Sequence, residues 1–269
     1  MRKLILINKI KKHAEISMII ISLILLQISN FFQWDTNPIM GFDKILADIL
    51  IVSICCLLIK KLQIWDSAGF NKTGFIKGLL YGIPFIIIGI ASVFVSNLGI
   101  KLSELNFLGF PHFIIFTINM ILVGANEEIW MRSLVLNALI SKYGTDKKSL
   151  WKAIIISAVI FGLIHIPNIF FMEPLTLLVQ VINAMSAGIL FAVIFIKSNN
   201  IWAGIIIHGL VDWCSLFVGN CFSGGNTVLS MNMTGSQAIS IILAGSLPPI
   251  ICSIIFMKKG HHKILQNNH

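Results

Sequence analysis

Apolar residues run along this chain in blocks long enough to cross a bilayer, and polar residues gather between the blocks. The pattern predicts eight helices, at about 16–32, 39–59, 75–98, 110–142, 151–171, 175–196, 200–218 and 237–257. No block alternates with the period of a barrel strand, so the expected fold class is all-α, a polytopic membrane helix bundle of about eight transmembrane helices. The fourth block is the longest, and the second is the least typical, because Asp43, Lys44 and Asp48 fall at its start. Gly69 and Gly74 break the chain before the third block, and Gly144 with Asp146 breaks it after the fourth. The Gly-, Asn- and Ser-rich stretch 219–236 reads as an outside loop. Ala184, Gly188 and Ala192 recur every fourth residue, a small-residue face that lets a neighbouring backbone come close. Pro248-Pro249 should bend the last helix. No boundary, low-complexity tract or internal repeat divides the chain, so residues 1–269 read as a single integral membrane domain.

Composition agrees: 57% of residues are hydrophobic and 12% charged, against about 45–50% and ~25% in soluble domains. The net charge of +9 does not point to nucleic acid, because the basic residues flank the apolar blocks and form no stripe interleaved with aromatics. They read as topology determinants. With a cytoplasmic N-terminus, only Lys44 and Lys101 of the 20 Lys and Arg fall on the far side, which predicts N-in and C-in. The N-terminus starts basic and then apolar like a signal peptide. It lacks an A-x-A-like cleavage site, and its apolar run is long enough to stay as an anchor. Five cysteines with no C-x-x-C pair read as small buried hydrophobes, with Cys221 alone placed where an oxidant or partner could reach it.

Against this background, a few polar side chains inside the blocks stand out. Glu127 lies about 24 Å along a helix starting at Pro111, near the hydrocarbon midplane. An ionised group there costs roughly 2.5–3.5 kcal/mol on the insertion scale, so Glu127, Glu128 and Arg132 together mark a functional site by default. Glu128 and Arg132, spaced i, i+4 with the acid first, can pair, while Glu127 points about 100° away and stays freer. His165 in the fifth block precedes Pro167, whose missing N–H should open the helix and free backbone groups beside the imidazole. His208 and Asp212 in the seventh block share one face a turn apart, with Gly204 and Gly209 expected to give access to the backbone. His112 reads as interfacial, and Asn119, Gln180 and Asn183 as interhelical hydrogen-bond donors. A carboxylate and two imidazoles on three apolar helices are most cheaply housed in one cavity, and that combination suits general-base activation of water.

Read in order, Glu127-Glu128-x-x-x-Arg132, Phe161-x-x-x-His165 and His208-x-x-x-Asp212 resemble the three motifs of the CAAX-processing endopeptidase and bacteriocin-self-immunity (CPBP, or Abi) family of intramembrane proteases. The resemblance covers about residues 110–215. It implies a metal-free glutamic endopeptidase in which Glu127 and His165 activate a water, His208 with position 212 stabilises the oxyanion, and Glu128 with Arg132 orients the site. An ionised aspartate cannot donate where the family also uses asparagine, so Asp212 is expected to orient His208 instead. The implied partners are a peptide or small membrane-protein substrate and the lipid bilayer, with no nucleic acid and no cofactor, and the richness in Ile, Lys and Asn suggests a bacterial plasma membrane. Three alternatives stand beside this reading: zinc held by Glu127, His165 and His208, a non-catalytic immunity or scaffold protein, and an ion-coupled transporter, which the missing repeat disfavours.

Overall fold

A computed structural model describes residues 13–31 and 41–258. The basic N-terminal cluster (Arg2, Lys3, Lys9, Lys11, Lys12) and Lys259 and Lys263, on which the expected orientation partly rests, lie outside them. Within the described residues the chain is a bundle of helices: α1 Ala14–Phe31, α2 Phe42–Leu62, α3 Phe75–Ser96, α4 Phe110–Tyr143, α5 Lys147–Leu163, α6 Pro174–Ser198, α7 Ile201–Cys221 and α8 Gly235–Lys258. Six of them, α3 to α8, are long and apolar enough to cross a membrane, α5 with its 3₁₀ extension to Phe170. The chain is therefore a multi-pass membrane protein. α2 is long enough but carries Asp43, Lys44, Asp48, Lys60 and Lys61, and only Ile16–Leu26 of α1 counts as a shorter apolar stretch.

Two features depart from the sequence expectation. The stretch 219–236 is not all loop: α7 runs to Cys221, and Phe222–Ser223 (β2) pairs antiparallel with Asn106–Phe107 (β1). Burying Cys221 at the helix end removes it from any oxidant, contrary to expectation. The fourth helix is also not uniform, because Ile129–Leu136 is a π-helix between two α-helical stretches. π segments are rare and concentrate at functional sites.

Glycines set the close approaches. A Cβ on Gly124 of α4 would lie 2.7 Å from the Ile205 carbonyl oxygen and 2.9 Å from Gly209 N, and one on Gly209 would lie 2.8 Å from the Met120 carbonyl oxygen. Gly209 therefore serves helix packing, and the expected access to its backbone is taken by α4. Gly188 packs on the Ala158 backbone, which seats the small-residue face of α6 against α5. The last helix runs through Pro248 and Pro249 without interruption. Gly69, Gly74 and Gly144 adopt positive φ at the predicted breaks. Asp146 caps α5 by accepting from the Lys148 and Ser149 backbone N–H groups.

Candidate active site

The site is built where the π segment of α4 faces α7, α5 and α6. Glu128, the last α-helical residue before that segment, is 1% exposed, and Arg132 is fully buried. The predicted pair forms as a fork: Arg132 Nε donates to Glu128 Oε2 at 3.1 Å, and Nη2 donates to Oε1 at 3.2 Å. The guanidinium also lies over the Phe161 and Phe191 rings, 5.2 and 5.6 Å from their centroids. Among the described residues its Nη1 has no hydrogen-bond partner, a desolvation cost that the two ring faces offset in part. Gly204 of α7 makes room for the acid, since a Cβ there would lie 3.0 Å from Glu128 Oε2.

His208 joins the pieces. Its Nδ1 lies 3.0 Å from Glu128 Oε1, and its Nε2 lies 3.4 Å from Asp212 Oδ2 and 3.6 Å from Glu127 Oε2. Both ring nitrogens thus face carboxylate oxygen, and the ring can donate to both sides only as an imidazolium. The imidazole is stacked on Phe191, with centroids 4.9 Å apart and planes at 17°, and edge-on to Phe161 at 5.9 Å. Glu127 is 21% exposed and Asp212 31%, so these two carboxylates form the open rim over a floor of Glu128, Arg132, His208 and the two phenylalanines.

His165 sits differently from the other five. α5 ends at Leu163, and the chain continues as a 3₁₀ turn, Ile166–Phe170, with Pro167 in its first positions. The His165 backbone N–H bonds to Gly162 O, so the Phe161 carbonyl is left without its usual helical partner. The His165 ring takes that place through Nδ1, 2.9 Å away. The expected freed backbone group is thus occupied by the imidazole itself. Among the described residues His165 makes no ion pair or hydrogen bond with Glu127. Phe161 stands between the two imidazoles, edge-on to each.

Among the described residues no three His, Cys, Asp or Glu side chains are grouped as a metal ion would need. An open apolar groove of about 340 Å³ between α4 and α7, lined by residues such as Phe113, Ile206 and Trp213, contains none of the six site residues and lies on another face of α7. Of the other polar residues, Gln180 and Asn183 accept between elements, from Asn168 and Ser246, whereas Asn119 bonds only within its own helix, at Ile115 O. His112 is exposed near the start of α4. Sequence reasoning missed Phe191 and the role of Gly204. Phe191 is one apolar residue in an apolar run and carries no signal of its own. Gly204 was visible, but its neighbour was not.

Residues 109–214, which contain all six, match the family model described as type II CAAX prenyl endopeptidase Rce1-like. No curated protein matches the chain.

Proposed function

Because residues 109–214 belong to the Rce1-like type II CAAX prenyl endopeptidase family, we propose that the chain is a metal-free glutamic endopeptidase of a bacterial plasma membrane, oriented N-in and C-in, that cleaves a peptide or small membrane-associated protein. The observation that carries this reading is the set of contacts at His208 Nε2, with Glu127 and Asp212 both within 4 Å on the open side of an otherwise buried cluster.

Glu127, the partly exposed acid, takes a proton from water, with His165 across the pocket holding the water from its side. The resulting hydroxide adds to the scissile carbonyl carbon. His208 donates to the developing oxyanion, held in place by Glu128 at Nδ1 and by Phe191 beneath the ring. As the C–N bond breaks, the proton on Glu127 passes to the leaving amine. Asp212 orients and balances the His208 ring. Glu128 and Arg132 are bonded to each other and buried beneath the rim, so they fix the floor and do not touch substrate.

The test is comparative peptidomics of cells carrying the wild type or Glu127→Gln at equal protein level. Peptides that accumulate intact only in the Gln strain support the reading, and processing that survives chelators supports its metal-free form. Identical peptidomes with a persisting phenotype would sink the enzyme and leave a scaffold or immunity protein.

A further inference from the structure

The family match begins at residue 109, yet the site helix is held from outside it. Four polar side chains of α4, Asn126, Trp130, Ser133 and Asn137, recur at spacings of four, three and four, which puts them on one stripe. Every one of them bonds to the N-terminal part of the chain. Asn126 Nδ2 donates to Asp48 Oδ1 of α2 at 2.7 Å, and Trp130 Nε1 donates to Ser22 Oγ of α1 at 3.0 Å. Ser133 Oγ donates to Ala68 O at 2.6 Å, and Asn137 Nδ2 to Ser67 O at 2.8 Å, both in the connection after α2. Glu127, Glu128 and Arg132 leave the helix on its other sides. The stripe therefore fixes rotation of α4 about its own axis, across a π segment whose looser turn would otherwise leave that rotation weakly defined.

The first bond of the stripe is the costliest and the nearest to the chemistry. Asp48 is fully buried, with Lys44 Nζ on both its oxygens, and Asn126 keeps a buried Oδ1 with no partner among the described residues. An apolar contact would join α2 to α4 at less cost, since a buried ion pair is weak evidence for stability alone. Asn126 is the residue next to Glu127, so the bond to Asp48 ends one residue from that carboxylate. We propose that Asp48, held by Lys44, is a positioning residue: through Asn126 it sets the angle at which Glu127 faces the pocket. This rests on the reading of Glu127 as the base, but its test does not.

The test uses the full chain in nanodiscs, with Cys55, Cys56, Cys214, Cys221 and Cys252 replaced and Glu127→Cys introduced, and measures labelling by a cationic methanethiosulfonate. Two backgrounds are compared, both without the buried charges: Asp48→Leu with Lys44→Met, and Asp48→Asn with Lys44→Met, which keeps an acceptor for Asn126. The Leu pair should change the labelling rate at position 127 about tenfold or more, within the ~100-fold that a ~1 Å misplacement can cost at a reacting group. The Asn pair should stay near the parent, and Asp212→Cys on α7 should label alike in both. Equal labelling at position 127 in the two backgrounds would overturn the proposal and leave a purely structural brace. If the Leu pair fails to fold, Asn126→Ala removes the donor alone, and the same change is expected. Once a Glu127-dependent peptide is in hand, its turnover should fall in the Leu pair with KM unmoved. Absence of any such peptide would refute Glu127 as the base while the labelling result stood on its own.

Discussion

The imidazole of His208 lies flat on Phe191, their centroids 4.9 Å apart and their planes at 17°. Phe191 is 1% exposed and also lies under the Arg132 guanidinium, so one side chain from α6 seats both the imidazole and the guanidinium of the site. Phe191→Leu should leave the bundle folded, losing well under the roughly 3–5 kcal/mol of a Phe-to-Ala truncation. It should slow processing by about tenfold or more, because the ring under His208 is gone. Thermal unfolding in detergent together with a processing assay reads both, and full activity in the Leu variant would show that the stack has no positioning role.

Gly204 offers an unusually clean substitution. In an exposed helix interior Gly→Ala stabilises by roughly 0.5–1 kcal/mol. Here the new methyl would sit 3.0 Å from Glu128 Oε2, tighter than ordinary contact, and Glu128 is pinned by both Arg132 and His208. Gly204→Ala should therefore destabilise by about 1–3 kcal/mol. It should also reduce processing more than that loss alone explains. A rise in melting temperature would show that the acid can move aside.

Breaking the Glu128–Arg132 fork from one side strands a charge that no water reaches. Arg132→Met alone should cost about 3–5 kcal/mol, whereas Arg132→Met with Glu128→Leu should cost clearly less. Neither variant should process substrate, because His208 loses its Nδ1 partner in the second and its ordered neighbour in the first. Equal destabilisation by the single and double variants would contradict the pairing.

At Asp212 the expected outcome is graded. The carboxylate is 31% exposed and meets His208 at 3.4 Å, so Asp212→Asn keeps shape and a hydrogen-bonding oxygen, while Asp212→Leu keeps neither. Processing should survive in the Asn variant within about tenfold and be lost in the Leu variant, following the cost of leaving a polar ring unpartnered. Loss in both would mean that the negative charge itself is required.

Outside the membrane, the Ser149 hydroxyl and backbone N–H, with the Lys148 N–H, hold the Asp146 carboxyl below the usual carboxylate range. A depressed folded-state value stabilises above the ordinary pKa and is lost as pH falls through the folded one. The first turn of α5 should therefore loosen only in acid below the normal carboxylate range, seen as faster hydrogen exchange at Lys148 and Ser149. Asp146→Asn should cap the helix and abolish that pH dependence.

Much of this protein was legible in one dimension. The apolar blocks set the helices, because a backbone in hydrocarbon must satisfy its own hydrogen bonds. The cost of charge in lipid singled out Glu127, Glu128, Arg132, His165, His208 and Asp212, and the i, i+4 spacing announced the Glu128–Arg132 and His208–Asp212 pairs. Periodicity along one helix, however, says nothing about what stands opposite it. That Phe191 underlies His208, that Gly204 exists for Glu128, that His165 turns its ring back to its own helix, and that Asp48 reaches Asn126 are facts of one element meeting another. The π segment belongs with them: nothing in the sequence of Ile129–Leu136 announces it, and all eight of its residues are buried against other elements. Local sequence determined which groups are costly enough to need a cavity, and packing between distant segments alone decided which of them share it.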